Sequence, residues 1–406
     1  MLRGLRVRPD RPPGRLVVPG FRGGGIPCGI KKGGRPDLAV VVSDRPCVSA
    51  VVFTRNRVPA APVVWGRSLP SRFRLRGVVV NSGNANACTG RKGLAAVRRV
   101  SRAACRCLGL PDGALLVSST GVIGVPLPAD RIEAALPSLC ASLAPGGIVG
   151  ASEAILTTDA GPKRAVRRFR AKGAEIVLGG IAKGAGMIAP NLGTMLAYVF
   201  TNASVRGADL RARFREAVEL SFNRIAVDGD TSTNDTAAVF ANGACGLPPL
   251  EGPDLAAFGD ALRSLLLSLA LAIVRDGEGA TRVVKVTVAG ARTAGDAEAA
   301  ARAVATSPLV KTAVYGADAN WGRIVAAVGR SGAAVDPDRL EVCFAGQTVL
   351  RRGMRIDPAA ERRAAAGIRK PFYEVRVDLG LGRGERFLYF SDLGPEYVRI
   401  NAGYRT

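Results

Sequence analysis

The sequence predicts an α/β protein whose sheets are covered by helices, and three observations carry that prediction. Short runs rich in β-branched residues alternate with amphipathic stretches of helical period along most of the 406 residues. The composition, 48% hydrophobic and 22% charged, is that of a folded chain, long enough for about two to three domain-sized cores or one large one. Three of the first four strand-like runs end in Asp or Gly, residues that stop a strand and turn the chain.

Taken in order, the first strands are expected at 38–44 (LAVVVSD), 48–54 (VSAVVFT), 76–83 (RGVVVNSG) and 114–121 (ALLVSSTG). Helical patterns lie between and after them at 91–110 and 129–143, the second expected to kink at Pro137 because proline cannot donate to the preceding turn. Residues 165–202 return to strand character. An amphipathic helix starts at Asp209, with Leu210, Phe214, Val218 and Leu220–Phe222 mainly on one face. A longer helix covers 254–275 and stops at Asp276-Gly277. A strand at 282–291, a helix at 296–305 and a strand at 340–346 follow, and 373–390 alternates about a Gly-Arg-Gly turn, which predicts a hairpin.

Composition also excludes chemistry. The chain contains no histidine, so a serine-histidine-acid triad, a cysteine-histidine dyad and a histidine metal ligand are all impossible. The net charge of +24 is lopsided: residues 1–193 carry 30 basic and 9 acidic residues, and residues 194–406 carry 27 and 24. The arginines of the basic half are scattered, without clusters or interleaved aromatics, so nucleic acid is not the expected partner. The apolar stretch Ser264–Val274 falls short of the roughly 20 residues that span a bilayer, so no membrane partner is expected. The basic N-terminus lacks the apolar core of a secretory signal, and the eight cysteines form no CxxC pair; reduced thiols and a cytoplasmic location are the expectation.

Five polar, glycine-rich segments fall at predicted strand ends: 81–90, 118–124, 179–196, 227–236 and 276–281. GGIAKG lacks the ending of a phosphate loop, and DGDTSTND lacks the calcium-loop register, so neither a nucleotide nor a metal is expected. The third segment is the most informative, because Thr194 opens the apolar run TMLAYVF after GMIAPNLG. If the Gly193–Thr194 bond were cut, the new α-amine would lie beside the threonine hydroxyl as its base. With a pKa of about 8, roughly a tenth of such an amine is unprotonated at pH 7, against about a thousandth or less of a lysine near 10.4. This supplies a base that a chain without histidine otherwise lacks; an ordinary buried strand threonine is the alternative.

Together, KGAGMIAPNLGTML, SFNRIAVDGDTSTNDT, VVNSGNANACTG, SSTGVIG, GADANWGRI and YVRINAGYRT resemble the ornithine acetyltransferase (glutamate N-acetyltransferase) family of arginine biosynthesis, in order from about Val17 to Thr406. The resemblance implies a layered α/β sandwich of the N-terminal-nucleophile aminopeptidase type, with a smaller C-terminal α/β region over about 282–406. It implies self-cleavage at Gly193–Thr194 into an α chain, 1–193, and a β chain, 194–406, assembled as α2β2. Thr194 would then be the nucleophile that carries acetyl from N-acetylornithine to glutamate. Thr120 and Gly121 would form the oxyanion hole. Thr157 (or its neighbour Thr158), Lys183, Thr194, Glu278, Asn401 and Thr406 would bind substrate, Glu278 receiving the ornithine ammonium. No bound cofactor or metal is implied, and acetyl-CoA is a candidate co-substrate.

Two positions depart from the family pattern. Gly193 stands where alanine is usual, which loosens the scissile backbone and is expected to slow self-cleavage without preventing it. Gly403 stands where aspartate is usual and removes a carboxylate near Asn401 and Thr406. A threonine amidase or aminopeptidase, and a relative acting on another N-acetylated amino acid, are the competing readings.

Overall fold

The computed structural model describes residues 16–70, 72–189 and 195–403. Two sheets stack face to face. The first has four strands in the order Phe21–Ile26, Leu38–Ser43, Gly77–Asn84, Leu115–Val122, the last pair parallel and the others antiparallel. The second has five, in the order Val48–Phe53, Thr236–Ala241, Leu196–Thr201, Ala174–Lys183, Lys163–Ala171, with only Thr236–Ala241 and Leu196–Thr201 parallel.

The period-two pattern of the strands decides which residues fill which layer. Val41, Val78, Val80 and Leu116 face inward and meet Val177, Tyr198, Phe200 and Phe240 of the second sheet. Phe200 stacks on Phe240 at 5.6 Å between ring centres and tilts against Phe21 at 5.3 Å. The alternate residues Val40, Val79, Leu115 and Val117 face outward under the helices Gly90–Cys107 and Ala129–Ala141. On the far side, Gly207–Glu219 and Gly252–Arg275 cover the second sheet. The result is a helix-sheet-sheet-helix sandwich, the layered α/β architecture expected from the resemblance.

A third sheet of seven strands has the order Met354–Arg355, Gln347–Arg351, Glu341–Phe344, Phe372–Asp378, Val283–Ala291, Gly384–Ser391, Ile225–Ala226. The helices Ala294–Ala305, Trp321–Gly329 and Pro358–Ile368 pack on it through a separate apolar core. Ile225–Ala226 comes from the sandwich half of the chain and ties the two parts together.

One expectation is corrected, and two are placed in context. Phe372–Asp378 and Gly384–Ser391 do not form a hairpin: Val283–Ala291 lies between them, parallel to the first and antiparallel to the second. The linker has the glycines of a turn, but it spans two strand spacings of about 4.8 Å each, which five residues reach easily. Pro137 lies inside the helix Ala129–Ala141, which continues through it to Ala141. The apolar stretch at 264–274 belongs to a helix of 24 residues, long and apolar enough by composition to cross a membrane. Its Leu262, Leu265, Leu266, Leu269 and Ile273 are instead fully buried against the second sheet.

Candidate active site

The polar segments at the strand ends converge on one cleft. Thr120, Gly121, Thr157, Lys183, Glu278 and Asn401, six of the residues implicated by the sequence, all line it. Gly193, Thr194 and Thr406 lie outside the described residues; the strand Leu196–Thr201 begins two positions after Thr194.

Thr120 and Gly121 close the strand Leu115–Val122, opposite Ser82 and Gly83 of Gly77–Asn84. Gly121 has φ +131°, and a Cβ built there would lie 2.3 Å from the Gly83 carbonyl carbon and 2.6 Å from Asn84 N. Only glycine fits this crossing of two backbones.

Lys183 ends the strand Ala174–Lys183, and its ammonium is the hub of the cleft. It donates to Thr157 Oγ1 at 2.7 Å and to Thr120 Oγ1 at 3.3 Å, and it lies 3.7 Å from the Asp159 carboxylate. Because Thr120 accepts from Lys183, its own O–H is left to donate. Burial pulls the Lys183 pKa down, with Asp159 opposing. Asp159 accepts from Gly184 N at 2.6 Å, Thr157 N at 3.0 Å and Lys163 Nζ at 2.5 Å. Burial alone would push Asp159 up, but Lys183 and Lys163 hold it well below the ordinary carboxylate range. Lys163 is itself paired with Asp276, so it ties the TTD turn to the end of the helix Gly252–Arg275.

The same cleft is also lined by acidic residues. Glu278 follows the helix Gly252–Arg275; its N–H donates to Ala185 O at 3.0 Å. Asn401, in the helix Pro395–Gly403, donates to Glu278 Oε2 at 2.7 Å. Asp228, Asp230 and Tyr397 line the same cleft. Asp228 accepts from Met187 N at 2.6 Å and Ile188 N at 2.9 Å, and burial pushes its pKa up to about 6. The cleft thus presents one ammonium beside two hydroxyls, together with three carboxyl groups, complementary to a small molecule bearing both a carboxylate and an ammonium. Among the described residues no group of histidine, cysteine, aspartate and glutamate is arranged to hold a metal.

Comparison with known proteins decides the family. The ArgJ family model matches residues 22–406. This chain belongs to the ArgJ family. Its relatives named "Arginine biosynthesis bifunctional protein ArgJ" include one from Geobacter sulfurreducens, 51% identical over 96% of this chain and 100% of the relative. Another, from Symbiobacterium thermophilum, is 47% identical over 97% and 99%. The solved ArgJ chain from Bacillus halodurans is 40% identical with TM-score 0.50, and it covers 52% of this chain and 100% of its own length.

Several residues around the ArgJ-family cleft escaped the sequence reading. Asp159 lies in the TTD turn, but its two lysine partners sit 4 and 24 positions away, with no local signature. Asn234, 7% exposed, donates to Ala85 O at 2.6 Å and Ser119 O at 2.8 Å, tying the 227–236 segment to the strand that carries Thr120. Asp235 is buried beneath it. Both belong to VDGDTSTNDT, where the sequence marked the segment without separating its members. Tyr397 opens the motif YVRINAGYRT, but nothing in the motif singled it out from Asn401 and Thr406. Thr158 lines the cleft beside Thr157, but the hydrogen bond from Lys183 goes to Thr157.

Proposed function

We propose that this ArgJ-family acyltransferase of arginine biosynthesis moves the acetyl group of N-acetylornithine to glutamate through an acetyl ester on Thr194. The observation that carries the reading is the Lys183–Thr157–Thr120 cluster sharing one cleft with Glu278. In the first half-reaction the Thr194 hydroxyl attacks the acetyl carbonyl, its proton passing through the α-amine to the departing nitrogen, and ornithine leaves. In the second, the glutamate amine attacks the ester carbonyl and Thr194 regains its proton. The Thr120 hydroxyl and the Gly121 N–H stabilise the oxyanion, Lys183 takes the α-carboxylate, and Glu278, steadied by Asn401, takes the side-chain ammonium of the donor.

The free α-amine requires prior self-cleavage. Thr194 Oγ attacks the Gly193 carbonyl carbon, the C–N bond breaks with its nitrogen protonated, and water hydrolyses the ester to leave a carboxyl on Gly193 and the amine on Thr194. The half-length Bacillus halodurans chain supports this, since residues 194–406 likewise make up about half of the 406. The fragments stay together because the strand Leu196–Thr201 pairs with Ala174–Lys183, and an α2β2 assembly in the cytoplasm is the form we expect. Acetyl-CoA is a candidate second donor, in keeping with the "bifunctional" name of the relatives. The test is a transfer assay with labelled N-acetylornithine and glutamate. Labelled N-acetylglutamate is the expected product; free acetate alone would favour the amidase reading.

A further inference from the structure

Asp235 is 1% exposed, and one of its carboxyl oxygens accepts the Met195 N–H at 3.0 Å. Its other oxygen is buried with no hydrogen-bond partner among the described residues. The hydroxyls of Thr54 and Ser232 lie beside the carboxyl, but Thr54 donates instead to Ser232 O at 2.8 Å. Lys183 acts on it only through space, its own bonds going to Thr120 and Thr157. An ionised carboxylate here would bury a charge on an oxygen without a donor, a costly arrangement.

We propose that Asp235 is a positioning residue for the entry to the Leu196–Thr201 strand, holding the Met195 N–H as an uncharged carboxyl, and that self-cleavage and acyl transfer by Thr194 depend on this hold. This rests on the function proposed above. Burial pushes the carboxyl well above its ordinary range, against the opposing Met195 N–H and the two hydroxyls.

The neutral form serves the chemistry. The Met195 nitrogen is bonded to the carbonyl carbon of residue 194, so chain connectivity alone limits how far an α-amine on residue 194 can be from the group that holds that N–H. A carboxylate at that range would keep the amine as ammonium and weaken it as a base; an uncharged carboxyl fixes the backbone without that penalty. Asp235 also joins two elements: its own backbone carbonyl accepts from Thr54 N at 2.9 Å, at the end of the strand Val48–Phe53. The residue that starts the Leu196–Thr201 strand is thereby referenced to the neighbouring strand.

The test compares wild type, Asp235→Asn and Asp235→Leu, each purified as the full chain, by the rate at which the 194–406 fragment appears in intact-mass spectra. The amide has the shape and neutrality of the protonated acid and should rescue: cleavage within about threefold of wild type, against at least about tenfold slower for leucine. The infrared carbonyl band of a protonated carboxylic acid at pH 7, lost in Asp235→Asn, is a readout that depends neither on cleavage nor on activity. Asparagine as slow as leucine, leucine as fast as wild type, or no band lost on substitution would each overturn the assignment. A wild-type chain that never cuts refutes the maturation reading, and the infrared band still decides the state of Asp235.

Discussion

Asp159→Asn isolates the charge on which the cleft is built. The side chain is fully buried, its carboxylate 3.7 Å from Lys183 and 2.5 Å from Lys163. At an effective dielectric of about 20, the attraction at 3.7 Å alone is about 4 kcal/mol, before the carboxylate's own desolvation is subtracted. Removing one partner of such a pair and stranding the other typically costs about 3–5 kcal/mol, and among the described residues Lys183, unlike Lys163, has no second carboxylate within ion-pair distance. With an unfolding entropy of about 0.85 kcal/mol/K for a chain of this length, the midpoint should fall by about 4–6 °C. The pH dependence has a defined sign. A depressed carboxyl stabilises above its unfolded pKa of about 3.9, and that stability is lost as pH falls through the lower folded value. Wild type should therefore lose stability steadily below about pH 4, and the asparagine variant should lack this component. Scanning calorimetry at pH 7 and across pH 5 to 2 reads both. A midpoint within about 1 °C of wild type would mean that Asp159 and Lys183 are not coupled as the geometry requires.

Further outcomes follow from other contacts. Gly121→Ala forces a Cβ to 2.3 Å from the Gly83 backbone and should cut kcat by about a hundredfold or more, read in the transfer assay with a melting control. Lys183→Met should raise KM for both amino-acid substrates by at least about tenfold, the loss of a charge-assisted contact, with Thr120 and Thr157 left unbonded. An unchanged KM would remove Lys183 from substrate binding. Lys311 is 2% exposed, and burial lowers its pKa to about 8, with Asp392 and Asp228 opposing. The unfolded chain then holds more protons between about pH 8 and 10.5, so wild-type stability should rise across that range by roughly 2–4 kcal/mol, and Lys311→Met should flatten the slope.

Much of this arrangement was legible before any coordinates. The strand runs ended where strands end, and the glycine-rich segments after them met in one cleft because parallel and antiparallel strands of two stacked sheets bring their ends to a common edge. What stayed hidden was pairing across distance. The alternation at 373–390 has the local chemistry of a hairpin, and nothing local states that Val283–Ala291 is inserted between its arms. Asp159 is an unremarkable turn aspartate until the fold brings Lys163 and Lys183 to it, and Asp235 gains meaning only from a burial that period and composition do not encode.

The central claim is that Thr194 becomes an N-terminal nucleophile. Intact mass and N-terminal sequencing of the purified wild-type protein, before and after incubation with N-acetylornithine, test it most directly. The account predicts two fragments, the second beginning Thr-Met-Leu-Ala and gaining the mass of one acetyl group that glutamate then removes. A single uncut species of 42.1 kDa with no acetyl adduct would contradict it.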